Sequence, residues 1–449
     1  MRIFLFQTAK GLFASSGGYK ANLSVLRHLA SRGYPCKQMC YAREHEVDTY
    51  IKERKAEGRE AVVVRSKLHV PLDHEEHYTV RTWVLTDLDG IQAVALDVEE
   101  FMLAFPEDEL AAETADFIEN GRMTRRLQSL VVFWNMHICL FRPTHVIFND
   151  ALSLKATSLM PALKNARRIC VVHTAEQLPF GPFAGGIPGS ATSPNETTLL
   201  RGVDGIWSVS LAIRDYALKH GNLDTTFHYI HPWTYLDGKT RELPPRYRNW
   251  SKQHVGMINP SPIKGCPIFI ELARRCPQFR FATWCSWGST EKVKAQLQEL
   301  SNIDVYPTCR NMEDAWSQIK VLLVPSLWHE AWGLVVAEAQ LRGIPVISSD
   351  VGGIPQAKLG LPYIIHVNSL TGDRQMLEGD EEPTYVVPEQ DVSDWVPVVE
   401  KLMTDKGEYE WLSNKVRNET MSWLKGLDES ALESWLLRMR ANEEIVASL

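Results

Sequence analysis

Glu330 and Glu338 are separated by seven residues that include the run Ala331-Trp332-Gly333-Leu334-Val335. That run follows the apolar stretch Val321–Val324, which reads as a strand, and Gly333 precedes a helical run, Leu334–Leu341. A helix that starts at the carboxyl end of a strand presents unpaired backbone N–H groups and a partial positive charge, a natural seat for a phosphate. Glu330 stands just before this helix and Glu338 just inside it. Carboxylates so placed can accept hydrogen bonds from ligand hydroxyls, each contributing roughly 1.5–3 kcal/mol. Spacing alone carries little, because a chain with 55 Asp and Glu residues contains such pairs by chance as solvated charges on a helix face. The order around the pair carries the reading: Pro325-Ser326 comes before it, and Gly343-x-Pro345-Val346 and Gly352-Gly353 come after.

Three further features share this setting. Lys264 follows the strand-like His254–Ile258 through Asn259-Pro260-Ser261-Pro262. A helix start is electrostatically unfavourable for a cation, so Lys264 reads as functional rather than as a surface lysine. His173 ends the apolar run Arg168–Val172, and Gly17-Gly18 precedes the helical run Ala21–Arg32. Glycines there let backbone approach a ligand closely. Taken singly, a histidine after a strand and a glycine pair in a loop are more often structural.

Neither a nucleophile triad nor a persuasive acid pair stands out. Two fragments have metal-ligand composition. Asp87-Leu88-Asp89 runs into Asp89-Gly90, the signature of a hairpin turn. His74-Glu75-Glu76-His77 lacks the helical histidine spacing of a zinc site and reads as a solvated loop. No metal and no cofactor are expected.

The elements that would position these residues alternate in type. Ile3–Gln7, Lys37–Tyr41, Ala61–Val64, Thr144–Phe148, Arg168–Val172, Val203–Val209 and His228–His231 read as strands in the first half, with Thr79–Leu96 as a hairpin and Ala111–Phe141 mostly helical. The alternation restarts after residue 252, with strands at His254–Ile258, Arg280–Trp284, Ile303–Val305, Val321–Val324, Pro345–Ser348 and Tyr363–His366. Strands alternating with helices predict parallel sheets. The expected organisation is α/β with two facing Rossmann-like doubly wound domains and a cleft between them. The domains are residues 1–235 and 253–405. A charged, proline-rich linker at 236–252 joins them, and helices in 406–449 return to the first domain.

The 449 residues are 45% hydrophobic and 23% charged, with a formal net charge of −7. This is a globular balance without the basic tract of a nucleic-acid partner. The longest apolar stretch, Leu130 to Phe141, is too short to span a bilayer and contains Asn135 and His137. With no signal-peptide pattern the chain reads as cytoplasmic, leaving room for peripheral membrane contact. The eight cysteines form no close Cys-x-x-Cys pair and read as buried thiols.

The ordered pattern around Glu330 and Glu338 resembles glycosyltransferase family 4, retaining nucleotide-sugar enzymes of the two-Rossmann architecture called GT-B, whose motif is Glu, seven residues, Glu. The resemblance covers most of the chain. It implies that Glu330 contacts the donor sugar, that Glu338 contacts the ribose, and that Gly333, Leu334 and Val335, with Ala331 and Trp332 beside them, offer backbone to the diphosphate. It implies too that Gly17 and Gly18 form a glycine loop at the donor phosphate, that His173 lies near the reacting sugar, and that Lys264 neutralises the diphosphate. The co-substrate implied is a nucleotide sugar, by family precedent a UDP-sugar. The chemistry implied is front-face substitution, in which the departing phosphate takes the acceptor's proton. Two positions depart from the pattern. Asn259 stands where many members carry arginine, so either the diphosphate is neutralised less strongly or another cation such as Arg310 takes part, and Gln356 stands where an acidic residue is common.

The acceptor side is less legible. Gln177 to Pro194 is a glycine-rich loop with Phe180 and Phe183, directly after His173. Loops beside a site often act as lids. The two aromatics fit either an apolar small-molecule acceptor such as a terpenoid, polyketide or lipid alcohol, or a surface loop packed by its own phenylalanines. Alternatives are a GT-B epimerase, hydrolase or phosphorylase, and a nucleotide-sugar-binding regulator without catalysis.

Overall fold

The structure is a computed structural model. It describes residues 1–7, 10–12, 17–72, 77–184, 192–237, 240–286, 288–309, 311–376 and 383–446, with side chains described as far as residue 439. The chain forms two compact units, Met1–Thr234 with Asp428–Leu449, and Tyr235–Leu427.

The first unit is built on a nine-stranded sheet of β1 (Ile3–Phe6), β2 (Cys36–Ala42), β3 (Val63–Pro71), β4 (His77–Leu88), β5 (Ile91–Asp97), β6 (His145–Phe148), β7 (Arg167–Val172), β8 (Gly205–Ser208) and β9 (Phe227–His228). Its order is β3-β4-β5-β2-β1-β6-β7-β8-β9. From β5 to β9 neighbours run parallel, while β3, β4 and β5 pair antiparallel. The parallel strands β1 and β6 are buried at every position, as sheets covered by helices on both faces require. The expected hairpin is β4 and β5, turned by Asp89 and Gly90, both at positive φ. β3 is longer than Ala61–Val64 and mostly exposed. Its Arg65 and Lys67 suit an edge strand that must resist further pairing, and they hide it from a search for apolar runs.

Two helices occupy the stretch 107–141. Glu107–Asn120 ends at Gly121 in the left-handed region, and Arg125–Phe141 starts at Thr124, whose side chain accepts from Leu127 N–H. The eight cysteines are free; Cys139 is exposed and Cys309 partly so, against the expectation that all would be buried.

The second unit holds a six-stranded sheet of β10 (His254–Ile258), β11 (Arg280–Trp284), β12 (Ile303–Tyr306), β13 (Ile319–Val324), β14 (Val346–Ser349) and β15 (Ile364–Ile365). The order is β12-β11-β10-β13-β14-β15, parallel throughout. Renumbered from its own start this is 3-2-1-4-5-6, the doubly wound nucleotide-binding order.

Two boundaries differ from expectation. The segment 236–252, expected as a linker, is fastened to the second unit. Tyr247 N–H donates to Arg342 O at 2.8 Å, and Asn249 Nδ2 donates to Trp316 O and Ile319 O at 2.8 and 2.7 Å. The C-terminal helices also divide. Lys406–Gly426 stays with the second unit, where Ser413 Oγ donates to Gly343 O at 2.6 Å. Ala431–Val446 joins the first, burying Leu432 and Leu436 among Ile3, Ile147 and Ile169. Gly205 leaves room for the Trp435 ring, which stacks on Phe227. No helix among the described residues is long and apolar enough to cross a membrane.

Candidate functional site

In the second unit the sheet reverses winding direction between β10 and β13. Ligands of such sheets sit at the carboxyl ends of the strands at that point. β10 leads into Asn259 and the turn Pro262–Lys264; β13 leads into Pro325–Trp332. The two loops are laced together, since the N–H groups of Leu327 and Trp328 both donate to Ile263 O at 3.0 Å. Gly265, at φ +82°, lies against Pro325, whose carbonyl a Cβ would overlap. This lacing brings Lys264 Nζ to 2.6 Å from Glu330 Oε1, and Ser326 Oγ donates to the same oxygen at 2.8 Å. The two charged side chains keep 23% and 16% of their exposure, so the pair is partly dehydrated yet reachable from solvent.

The loop after β14 supports Glu330 from behind. Gly353 N–H donates to Glu330 O at 2.7 Å. A Cβ on Gly352 would overlap the Glu330 backbone, and one on Gly353 would overlap Ala331. Side-chain-free backbone is therefore needed where the two loops cross. Gly333, at φ +89°, turns the chain into the helix Leu334–Leu341. The N–H groups of Leu334 and Val335 belong to its first turn and have no intrahelical acceptor.

Trp332 has a different role from its neighbours. Its ring is buried, donates Nε1–H to Tyr235 Oη at 2.6 Å and stacks on Trp423 with centroids 5.6 Å apart. It anchors the loop. Glu338 lies one turn inside the helix, half-buried. Burial and, secondarily, the Glu338 charge push the Tyr235 phenol above its usual range. Asn259 adopts φ +54°, which asparagine tolerates better than most residues. Its Oδ1 accepts from Gly288 N–H at 3.0 Å, which ties the turn after β10 to the loop after β11. Gln356 lies in the helix Ile354–Ala357, and Arg310 lies outside the described residues.

In the first unit the corresponding reversal falls between β1 and β6. Here Gln7 after β1, Asn22 in the helix Gly17–Ser31 and His173 after β7 form a chain. Asn22 Nδ2 donates to Gln7 Oε1 at 2.9 Å, and His173 Nε2 lies 2.8 Å from Asn22 Oδ1. Asn22 Oδ1 can only accept, so His173 carries its proton on Nε2 and leaves Nδ1 as a bare acceptor. Burial lowers the His173 pKa to about 4, so the ring is neutral at physiological pH. Gly17 and Gly18 open the helix, and Gly18 faces the imidazole: a Cβ on it would stand 3.0 Å from Cγ.

The same unit encloses a cavity of about 350 Å³ where β1, β2 and β6 end. Phe180 and Phe183 do not line it. Phe180 packs on Gly221, and Phe183 stacks on Tyr216, whose Oη accepts from Phe183 N–H and donates to Phe180 O. Their apolar surface is therefore used inside the fold, as in a loop packed by its own phenylalanines. Residues 185–191 of that loop lie outside the described residues. The cavity is lined instead by residues the sequence reading passed over, among them Asn149, Asp150, Gln177 and Glu196. The signal was present at Asn149-Asp150, two polar residues at the carboxyl end of an apolar strand. Glu196 gave none, because its helix lies far along the chain. Burial, followed by the charges of Asp150 and Glu119, raises the Glu196 pKa to about 8. Burial likewise raises that of Asp150 against its bonds to Ser153.

The acidic fragment at the hairpin is engaged locally. Asp87 Oδ1 accepts from Gly90 N–H at 2.8 Å, and Asp89 pairs with Arg27 and Arg54 at 2.5 and 2.8 Å. Residues 74–76 of the histidine fragment lie outside the described residues.

Residues 253–405 match the family model described as Glycosyl transferases group 1. A stretch of 68 residues is 41% identical to a D-inositol 3-phosphate glycosyltransferase of Streptomyces bingchenggensis (strain BCW-1), covering 15% of each chain. The matched segments span 28% and 15% of the lengths of the curated relatives they match. Among solved structures, the catalytic domain of starch synthase IV from Arabidopsis thaliana, bound to ADP and acarbose, aligns with a TM-score of 0.61. It is 12% identical, and 98% of this chain and 99% of that one are covered. Anabaena Alr3699/HepE in complex with UDP and glucose aligns with a TM-score of 0.54 at 12% identity, with 100% of both chains covered. The fold is the α/β GT-B fold, with two Rossmann-like domains.

Proposed function

We propose that this chain is a retaining glycosyltransferase that moves a sugar from a nucleotide sugar to a hydroxyl of a small, largely apolar acceptor. The observation that carries the reading is the Lys264–Glu330 pair at the winding reversal of the second unit, beside the N-terminus of the helix Leu334–Leu341. The match of residues 253–405 to Glycosyl transferases group 1 supports it over the same segment. A diphosphate at this helix start draws Lys264 away from Glu330, because two phosphate charges outbid one carboxylate. Glu330 is then free to accept from sugar hydroxyls, with Ser326 steadying it, and Glu338 faces the ribose. The ligands of the solved relatives include both ADP and UDP; the family resemblance favours UDP.

In the transfer the bond from the anomeric carbon to the diphosphate oxygen breaks. A new bond forms on the same face to the acceptor oxygen, and the acceptor's proton passes to the departing phosphate. Positioning and charge stabilisation are then what the protein contributes. His173, with a bare Nδ1, suits a substrate hydroxyl as hydrogen-bond acceptor. No metal ion and no cofactor enters this scheme.

Glu330→Ala tests the reading. We expect a folded protein with no measurable transfer; a near-wild-type rate would overturn the assignment. Asn259, neutral and bonded to the loop after β11, favours one competing reading, a nucleotide-sugar-binding regulator without turnover. Measuring donor consumption separates the two, since tight binding without turnover across a wide acceptor panel would select the regulator.

A further inference from the structure

The cavity of the first unit has two unlike sides. One is aromatic and aliphatic. Phe101 stacks on Phe105 with centroids 4.8 Å apart, Trp134 meets Phe6 edge-on at 4.9 Å, and Leu110 lies with them. The other gathers Asn149, Asp150, Gln177 and Glu196. Gln177 Nε2 donates to Asn149 O at 2.5 Å, Asp150 adjoins Asn149, and the charges of Asp150 and Glu196 act on one another.

What this polar side still lacks defines its ligand. Gln177 is spent, because its Oε1 already accepts from the N–H groups of His173 and Thr174 at 2.6 and 3.1 Å. Asn149 is 8% exposed, and its Oδ1 is buried with no partner. Glu196 is 5% exposed, and its carboxyl has no hydrogen-bond partner among the described residues. Asp150 accepts from Ser153 N–H and Ser153 Oγ and retains free lone pairs. The open capacity is thus for accepting hydrogen bonds. Glu196 holds a proton at neutral pH beside Asp150 and releases it to solvent when an incoming cation offsets the repulsion between the two carboxyl groups. Lys10 is the basic residue of the lining, and it is paired with Glu107 at 2.9 Å, both about half exposed.

We propose that this cavity binds an apolar small molecule through a primary ammonium group held by Asn149 Oδ1, Asp150 and Glu196, which makes the transferase acceptor an apolar amino alcohol. An ammonium offers three donors to three acceptors and a positive charge to two carboxyl groups, whereas an alcohol offers one donor and no charge. Held protonated, the nitrogen is an anchor, and a separate hydroxyl of the same molecule is the nucleophile. Gln177 connects this side of the cavity to the His173 loop. The ammonium site stands on the cavity alone; its role as the acceptor site rests on the transferase reading.

The test uses the full chain without donor and follows thermal unfolding with 4-phenylbutylamine, 4-phenylbutanol or 4-phenylbutanoate at neutral pH. We expect the amine to stabilise most and the carboxylate least, with the amine bound about 10-fold more tightly than the alcohol. Glu196→Gln should bring amine and alcohol within about 3-fold of each other. Ala111→Phe, which fills the apolar side from the helix Glu107–Asn120, should abolish both shifts. Equal stabilisation by the three compounds, or an alcohol stronger than the amine, overturns the proposal even if Glu196→Gln does not fold. The nucleotide-sugar shift is read in the same assay. Its loss would sink the transferase reading alone; a normal nucleotide-sugar shift with no response to the amine would sink the ammonium site alone.

Discussion

Gly18 and His173 are in contact: the glycine Cα faces the imidazole so closely that an added methyl group would stand 3.0 Å from Cγ and 3.2 Å from Cδ2. The residue that looked like backbone making room for a phosphate is making room for a ring. Gly18→Ala should displace the imidazole by a few tenths of an ångström and loosen its bond to Asn22. We expect kcat to fall by up to about 100-fold, the scale of a misplaced catalytic group, with little change in melting temperature. A wild-type kcat in this variant would show that the position of His173 does not limit the reaction.

Removing the cation of the donor-side pair should act on chemistry. Lys264→Ala leaves Glu330 with Ser326 alone and takes away the charge facing the leaving diphosphate. A loss of about 10²–10³ in kcat is expected, as for other groups that stabilise developing charge. Single-turnover kinetics and nucleotide binding together check this. An unchanged rate constant would remove Lys264 from the site.

Trp332→Phe should separate anchoring from ligand contact. Phenylalanine keeps most of the stack on Trp423 but cannot donate to Tyr235 Oη, leaving a buried hydroxyl short of a partner. A loss of about 1–3 kcal/mol in unfolding free energy is expected, together with weaker nucleotide-sugar binding as the loop slackens. Full stability in denaturant titration would contradict the anchoring role.

Glu196 should make stability depend on pH. Its pKa is raised from 4.5 to about 8 in the fold, so the folded state holds the proton more tightly than the unfolded chain does. That contribution is fully present below pH 4.5 and is lost as the pH rises through 8. Glu196→Gln, which cannot ionise, should remove this part of the decline. Parallel wild-type and variant melting curves across that interval would argue against a protonated Glu196.

The second unit was far more legible than the first, for physical reasons. Its strands are short, apolar and parallel, and its ligand-facing residues follow them within a few positions, so that Lys264 and Glu330 could be found without knowing what touched what. The first unit scatters its chemistry. Asn149, Gln177 and Glu196 come from three separate stretches that only the fold brings together, and no spacing links them. Phe180 and Phe183 were ambiguous because sequence cannot tell an aromatic that lines a cavity from one that packs on Gly221 and Tyr216. The segment 236–252 misled. Charge and proline composition mark an irregular backbone, but Asn249 and Tyr247 bind that backbone to the second unit through bonds that composition does not register.

The main chain leaves the first unit after Thr234 and comes back at Asp428. Trp233 Nε1 lies 3.5 Å from Glu429 Oε2, so departure and return are side by side. In sequence, the second unit is in effect a cassette inserted between Thr234 and Asp428 of the first. A chain in which Thr234 is joined to Asp428 by a short glycine segment would keep every strand of the first sheet together with the helix Ala431–Val446. Cutting the gene at the midpoint instead would strip the first sheet of Leu432, Trp435 and Leu436.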